Sequence, residues 1–443
     1  MIRLIATLIA WIALAILHAA LAAAAPLPQQ SPDRTLGVGD CTNSLCHGSA
    51  QQWKESRVLQ NEYLIWSRRD KHARAYSVLL GAPAQAIARK LGMTEAPQSA
   101  GQCLDCHAHN VPAARRGPKF VLADGVACET CHGPAQRWIT SHVEPNATHA
   151  QNLANGMYAT ADDVQRARLC LSCHFGTADK FVDHRLIAAG HPRLSFELDT
   201  FSQIEPAHFR IDADWMERKG RWESTRSWAV GQALAATQLL RTLADSKRGH
   251  AGLFPELALF DCHACHHLMS DKRDFHLRTD VGPGRVRLND SSLLMLRQIA
   301  ARVDPSGATR FDAQLDRLRR AVAGGDDALA QARAMAEECD QVLARVVAHR
   351  QFTADDLRAM LDGLLDQGLS GQYSDYQGAE QATMAIQSLT DLMSRLGVVR
   401  AASVQPMMTR LLLSVADDET FRPQAFQATL RELRAAAHAG AKR

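Results

Sequence analysis

Large aromatic side chains, basic clusters and long apolar runs are all scarce in this sequence. Phe, Trp and Tyr make up 6% of the 443 residues, so the side chains alone offer little bulk for several large cores. Lysine and arginine form no block and the formal net charge is +3, which argues against a protein that binds nucleic acid. Residues 4–25 are the single apolar run that is long enough to cross a bilayer. No further membrane span is predicted.

The first residues are typical of an export signal. Arg3 supplies the positive charge, residues 4–17 form the apolar stretch, and Ala20-Leu21-Ala22 is a small-x-small cleavage site. We therefore predict a signal peptide over residues 1–22, a linker over residues 23–40 and a periplasmic mature protein. If the segment is not cleaved, it anchors the chain at the periplasmic face of the membrane, which is the one membrane contact that the sequence allows.

Cysteine is sparse, but its arrangement is the most informative pattern in the chain. Four copies of Cys-x-x-Cys-His are present, together with a fifth site that has a longer gap. This is the attachment pattern of c-type haem, in which two thiols form thioethers and the following histidine ligates the iron. The predicted attachment cysteines are Cys41, Cys46, Cys103, Cys106, Cys128, Cys131, Cys170, Cys173, Cys262 and Cys265. The predicted proximal histidines are His47, His107, His132, His174 and His266.

Zinc binding and thioredoxin-like redox chemistry are the alternatives for such cysteine pairs. A zinc site needs two pairs but no histidine directly after each of them, and a thioredoxin-like motif would occur once. We therefore predict five covalently attached haem c groups. At the longer site, Cys41-Thr-Asn-Ser-Leu-Cys46-His47, two alternatives stay open: only Cys46 attaches haem, or Cys41 has a structural role. Cys339 is left over and is predicted to be a free thiol.

The second axial ligand of each iron decides its chemistry. A second histidine gives a closed low-spin centre that passes electrons, whereas an open position lets a small molecule bind. The distal candidates are His72, His191, His184, His142 and His149. His72 is favoured because it falls in a predicted helix that can hold an imidazole steady, and His191 because Gly190 and Pro192 restrict the backbone around it.

These motifs resemble the cytochrome c554-like family of multihaem cytochromes, which is related to the hydroxylamine oxidoreductase group. The resemblance covers roughly residues 40–270. It is carried by Trp66-Ser-Arg-Arg-Asp-Lys-His72-Ala-Arg-Ala, by Cys103–His107, by Gly125-Val-Ala-Cys128-Glu-Thr-Cys131-His132-Gly133-Pro134-Ala135 and by Ala-Gly-His191-Pro-Arg. It implies that His72 is a distal ligand and that the protein relays electrons, although some members carry an open iron. The sequence departs from the family in the longer Cys41–His47 gap and in the fifth site, Cys262–His266.

The sequence predicts a mainly α protein. Residues 41–284 are predicted to form an irregular multihaem cytochrome c domain with few strands, and residues 285–443 a C-terminal helical bundle. Helical periodicity predicts two helices in the first region, over residues 61–80 and 224–245. In the second region it predicts helices over residues 291–303, 312–323, 327–349, 354–367, 377–396, 405–416 and 423–438.

Two details of the C-terminal region are also predicted. Pro406 and Pro423 are assigned to the first turns of their helices, where a missing N–H costs nothing. Met384, Met393, Met407 and Met408 are assigned to the core rather than to an iron.

Two functions agree with these patterns. The first is an exported electron carrier that exchanges electrons with other redox proteins as donor and acceptor. The alternative is a multihaem oxidoreductase that acts on a small nitrogen or sulfur species at one haem lacking a distal histidine, with the haem of His47 or His266 as the candidate. Arg185 and Arg193 would then orient an anion, or else bind haem propionates. We favour the carrier because the sequence has enough histidines to close all five irons and shows no separate catalytic motif.

Overall fold

The computed structural model describes residues 25–54, 56–251, 254–266, 287–324, 327–349 and 351–439. The predicted signal peptide lies outside the described residues, and so do His267 and His276. Within the described part of the chain, every helix is either too short or too polar to cross a membrane.

The described residues form α-helices joined by irregular chain. The helices are α1 Glu62–Arg69, α2 Ala82–Leu91, α3 Gly101–His107, α4 Cys128–His132, α5 His149–Ala154, α6 Asp163–His174, α7 His184–Ala189, α8 Leu198–Ile204, α9 Ala213–Lys219, α10 Ser224–Leu243, α11 Ser291–Val303, α12 Pro305–Val322, α13 Ala328–Ala348, α14 Ala354–Leu369, α15 Tyr376–Arg395, α16 Ala401–Ser414 and α17 Pro423–Ala439. Single 3-10 turns span Pro28–Gln30, Val38–Asp40, His72–Arg74, Ser77–Leu80, Ala113–Arg115, Leu122–Asp124, Ala135–Arg137, Ser141–Val143, Leu257–Leu259 and Cys262–Ala264.

Strands are almost absent from the described residues. The named strands there are β1 His250–Ala251 and β2 Phe254–Pro255, which pair antiparallel as a short hairpin. The predicted fold class, mainly α with few strands and a helical C-terminal region, is confirmed.

The chain divides into two compact units. The first comprises the described residues up to Ser77 together with Leu104–Leu169, and the second comprises Val78–Cys103 and the described residues from Cys170 onward. This division does not follow the boundary predicted between residues 284 and 285. The predicted domains were defined by where the haem motifs lie along the chain, and they stay a prediction.

The first unit is irregular because local side-chain hydrogen bonds interrupt its helices. The helix predicted over residues 61–80 is wrong: α1 ends at Arg69, and Asp70 is extended. The Asp70 carboxylate accepts the backbone N–H of His72 at 2.9 Å, which starts a separate 3-10 turn at His72. Asp side chains compete with helical hydrogen bonds in this way, so His72 lies in a turn rather than in mid-helix.

A buried carboxylate fastens the N-terminal segment to the first unit. Glu129 is 3% exposed, and its two oxygens accept the backbone N–H groups of Leu36 at 2.9 Å, Gly37 at 2.7 Å and Ala135 at 2.7 Å. Burial nevertheless raises the pKa of Glu129. The segment predicted as a linker, residues 23–40, is therefore held against the chain around the third motif from Leu36 on.

The second unit has a helical core built around α10. Helix α10 packs against α8, α11, α13 and α15, while α14 packs against α11, α15 and α17. In α14 the buried positions repeat at the helical period, which explains why this sequence forms an amphipathic helix. They are Leu357, Met360, Leu361, Leu364 and Leu365, each at most 2% exposed.

All seven helices predicted after residue 285 are present, with two different starts. Helix α12 begins at Pro305, seven residues earlier than predicted, because the Asp304 carboxylate accepts the N–H of Gly307 and caps it. Helix α16 begins at Ala401, so the placement of Pro406 in a first turn is wrong and this proline lies inside the helix. Pro423 does occupy the first turn of α17.

The sulfur-containing residues of the C-terminal helices lie in the core, as predicted. The four methionines of α15 and α16 that were assigned to it are each at most 9% exposed. Cys339 in α13 is fully buried and free, and burial raises the pKa of its thiol.

Candidate haem sites

Helical backbone at the motifs brings each histidine to the side of its cysteines. Residues 103–107 lie in α3, residues 128–132 form α4, residues 170–174 end α6, and Cys262–Ala264 is a 3-10 turn. In a helix, residues i, i+3 and i+4 share one face, which is the spacing of the two cysteines and the histidine. The local fold therefore presents the three haem-binding side chains of a motif together.

The longer first motif reaches a similar arrangement through a bulge. The backbone N–H of His47 donates to the carbonyl of Cys41 at 3.1 Å, just as the N–H of His266 donates to the carbonyl of Cys262 at 2.8 Å. A turn closed by the backbone and side chain of Asn43 takes up the two additional residues. The histidine thus keeps the same backbone relation to the first cysteine of its motif in both sites.

The first cysteines of two motifs lie side by side in the first unit. The neighbouring Cys128 thiol and burial both raise the pKa of the Cys41 thiol. Cys41 therefore sits next to another predicted attachment position. Thioether formation at Cys41 stays a prediction.

His142 faces His47 at the distance expected for two ligands of one iron. The two ring centroids are 6.3 Å apart and the ring planes differ by 15°. A metal–imidazole nitrogen bond is about 2.0–2.1 Å and the ring centre lies about 1.2 Å further out, so two imidazoles across one iron have centroids roughly 6.4 Å apart. This ring separation agrees with the assignment of His142 as a distal ligand, which stays a prediction.

The outer nitrogens of this pair are held by hydrogen bonds. Nδ1 of His47 bonds to Oε2 of Glu62 at 3.0 Å, and Nδ1 of His142 bonds to the carbonyl of Ile139 at 2.7 Å. A proton held on Nδ1 leaves Nε2 as the basic nitrogen, which is the usual arrangement of a metal-bound histidine. The bond to Glu62 raises the pKa of His47, whereas burial lowers the pKa of His142.

A second pair with the same separation lies in the second unit. The ring centroids of His184 and His266 are 6.4 Å apart, with 38° between the planes. His184 is the first residue of α7, which the Asp183 carboxylate caps by accepting the N–H of Leu186 at 2.7 Å. The backbone N–H of His184 also donates to Glu256 at 2.8 Å. These backbone hydrogen bonds hold the start of α7, and the assignment of His184 as a distal ligand stays a prediction.

Three further histidines have an oxygen close to Nδ1. Nδ1 of His72 lies 3.1 Å from a carboxylate oxygen of Asp70, and Nδ1 of His107 bonds to the carbonyl of Ala75 at 2.9 Å. His191 bonds to the carbonyl of the residue that follows it at 2.8 Å. In each case Nε2 points away from the bonded side, as an iron ligand requires.

The turn that carries His72 is docked onto the segment just before the third motif. The carbonyl of His72 accepts the N–H of Val126 at 3.1 Å, and Nε1 of Trp66 donates to the carbonyl of Val126 at 3.1 Å. Gly125 has φ +71°, and a Cβ there would lie 2.9 Å from the carbonyl oxygen of His72. Only glycine allows this approach without strain.

Two phenylalanines contact the proximal histidine of the fourth motif. The ring of Phe196 lies 4.8 Å from that of His174 with 23° between the planes, and the ring of Phe201 lies 6.0 Å away at 61°. Such contacts restrict the ring rotation of His174. The apolar run around residues 194–198 was visible in the sequence, but its contact with His174 was not.

His132 and His149 each lie at the end of a short helix. His132 ends α4 and His149 begins α5, whose N-terminus is capped by Thr148. The role of His149, and the distal ligands of the irons of His107, His132 and His174, stay predictions.

Several side chains close to the motifs have partners within the protein. His109 is 3% exposed, and its Nε2 bonds to the hydroxyl of Thr35 at 2.9 Å; burial lowers its pKa to about 4. The two arginines considered as anion-binding helpers have protein partners. Arg185 donates to the carbonyl of Leu91 at 2.9 Å, and Arg193 pairs with Glu380 at 3.1 Å.

Glu62 and Asp70 are the functional residues that sequence reasoning missed. Asp70 lies two residues before His72, a spacing that could have suggested a hydrogen bond. Glu62 lies 15 residues after His47, and no local pattern connects the two. The Asp70 contact is local, whereas the Glu62 contact comes from the way in which the chain folds back after the first motif.

Residues 41–133 match the family described as cytochrome c554 and c-prime. The matched segment contains the first three motifs and His72. No curated protein and no solved structure matches the chain.

Proposed function

Because residues 41–133 form a cytochrome c554-like domain, we propose that this protein is an exported electron carrier with five covalently attached haem c groups. The cytochrome match supports c-type haem and electron transfer. The number of haems follows from the five cysteine motifs, and export from the N-terminal segment together with covalent haem attachment, which takes place outside the cytoplasmic membrane. Other redox proteins are the proposed donor and acceptor.

The observation that carries this proposal is the pairing of histidines at two irons. His47 faces His142 and His266 faces His184, with centroid separations of 6.3 and 6.4 Å. The oxidoreductase alternative required an open iron, and its candidates were the haems of His47 and His266. A second imidazole close to each of these two histidines supports the carrier over an open iron at these motifs.

The side chains of the chain fit haem and define what each would do. When bound, haem supplies a one-electron iron couple. The cysteines would tether its edge, the paired histidines would ligate the iron, and Nδ1 bonds such as that of His142 to Ile139 would fix the imidazole planes. Rigid ligands that stay bound in both oxidation states keep the structural change on electron transfer small.

Single substitutions of the distal histidines test the proposal. We expect His142→Ala and His184→Ala each to convert one low-spin ferric haem into a high-spin one in the electron paramagnetic resonance spectrum. His438→Ala is the matched control, because His438 bonds to Asp362 at 3.0 Å in the C-terminal helices. Intact mass should show five haem additions in the three variants and in the unmodified protein. A fully low-spin spectrum for both distal variants, or a different haem count, would refute the proposal.

A further inference from the structure

The histidines of the first unit differ in the kind of group that holds Nδ1. Nδ1 of His47 bonds to a carboxylate oxygen of Glu62 at 3.0 Å, whereas Nδ1 of His107 and of His142 bond to backbone carbonyls at 2.9 and 2.7 Å. A carboxylate carries a full negative charge and draws the Nδ1 proton more strongly than a carbonyl does. The imidazole of His47 thereby becomes the better electron donor to a metal.

Glu62 is held rigidly in this position. It is the first residue of α1, where a negative charge suits the helix N-terminus. Its other oxygen, Oε1, accepts the N–H of Leu59 at 2.8 Å, and the N–H of the next residue, Tyr63, donates to the carbonyl of His47 at 3.0 Å. With its side chain 16% exposed, the carboxylate is only weakly screened by solvent.

We propose that Glu62 is a positioning residue that lowers the reduction potential of the haem attached at Cys41–His47, through its hydrogen bond to the proximal imidazole. The inference rests on the proposed function, since it needs haem at this motif. Reduction adds one electron from a redox partner to the iron and breaks no bond, and the Nδ1 proton stays between His47 and Glu62. Because the negative carboxylate stabilises the more positive ferric state, it makes reduction less favourable.

The pair in the second unit provides an internal comparison. Among the described residues, no carboxylate bonds to the ring of His184 or of His266. The haem of the fifth motif should therefore have the higher potential of the two. The hydrogen bonds thus predict a direction for electrons within the chain, from the haem of the first motif towards that of the fifth.

The test is Glu62→Gln in the full haem-loaded chain, followed by spectroelectrochemical titration. The amide oxygen of Gln can still accept the Nδ1 proton, so the variant removes the charge and keeps the hydrogen bond. We expect the reduced-to-oxidised ratio of one haem at a fixed ambient potential to rise about tenfold, the lower end of such outer-ligand effects. For a one-electron couple this is an upward shift of about 59 mV.

Glu144→Gln is the matched control. It removes an exposed carboxylate that lies two residues from His142 but bonds to no ligand ring. We expect a much smaller shift for it. Equal shifts for the two variants, or no shift for Glu62→Gln, would overturn the inference.

A second measurement needs no variant at Glu62. The low-spin signal that His142→Ala removes identifies the first haem in the unmodified protein, and the one that His184→Ala removes identifies the fifth. In the unmodified protein the first haem should titrate at the lower potential, and the opposite order overturns the inference. A protein that lacks haem at the first motif is recognised by its mass and fails the proposed function instead, so the two failures are distinguishable.

Discussion

The protein is expected to lose stability as the pH rises from 4.5 to 7, because the buried carboxyl of Glu197 then loses its proton. Replacing Glu197 with Gln should abolish this loss. Glu197 is 2% exposed, and burial, together with the neighbouring charge of Asp199, raises its pKa from 4.5 to about 7. Its carboxylate oxygens accept the N–H groups of Asp199 at 2.9 Å and Thr200 at 2.7 Å, which offsets only part of the burial cost. The folded protein therefore keeps a proton on Glu197 that the unfolded chain releases.

The sign and the size of the effect follow from linkage. Between pH 4.5 and pH 7 the folded state binds more protons at this site than the unfolded state, so stability falls as the pH rises through that window. The difference between the two pKa values corresponds to about 3 kcal/mol of unfolding free energy, at 1.36 kcal/mol per pKa unit. Gln cannot ionise and mimics the protonated carboxyl, so its variant should lack this loss.

Urea unfolding followed by far-ultraviolet circular dichroism measures the effect directly. The unfolding free energy of Glu197→Gln minus that of the parent protein should be about 3 kcal/mol larger at pH 8 than at pH 5. Asp212→Asn is the control, because it also changes an N-cap carboxylate to an amide but at a half-exposed side chain, 48% accessible. If Glu197→Gln and the parent follow the same pH profile, the burial argument is wrong.

Two further substitutions test the first unit. Gly125→Ala should destabilise the protein by about 1–3 kcal/mol, because φ is +71° and the new Cβ would meet the carbonyl of His72; a melting temperature within 1 °C or so of the parent would contradict the docking of that turn. Cys41→Ala should keep five haems by mass but move the haemochrome absorption band of one haem to longer wavelength, because one thioether is lost. An unchanged band would show that Cys41 does not attach haem.

The C-terminal helices could be predicted because their information is local. In α14 the apolar residues repeat at the helical period, and Thr353 and Asp356 form the capping pair that starts the helix. The start of α16 was misplaced because Pro406 was assigned to a first turn by local preference alone, and that of α12 because the Asp304 cap was not recognised. A long helix with a buried face tolerates the one hydrogen bond that Pro406 removes.

The haem motifs could be predicted but the histidine pairing could not. Cysteine and histidine spacing within a motif is local, whereas His142 lies 95 residues from His47 and His184 lies 82 residues from His266. His142 and His149 had equal claims in the sequence, since both follow the third motif at a reachable distance. Only the fold brings His142 against His47 and gives it two backbone acceptors, Trp138 and Ile139.

The short-range errors have a common physical cause. The alternation of apolar residues over 61–80 is typical of a helix, but Asp70 offers the backbone a competing acceptor and ends it. Glu62 and Asp70 are charged residues on a segment that looked like a solvated helix face. His72, the partner of Asp70, lies two residues away, whereas His47, the partner of Glu62, becomes apparent only once the chain has turned back on itself.

The most direct test of the account is the electron paramagnetic resonance spectrum of the unmodified ferric protein, recorded with and without cyanide, nitrite and hydroxylamine. If imidazoles close the irons of His47 and His266 as the ring separations of 6.3 and 6.4 Å indicate, both haems are low-spin and none of the added molecules changes their signals. A high-spin signal from either haem that shifts when a small molecule is added would contradict the carrier function.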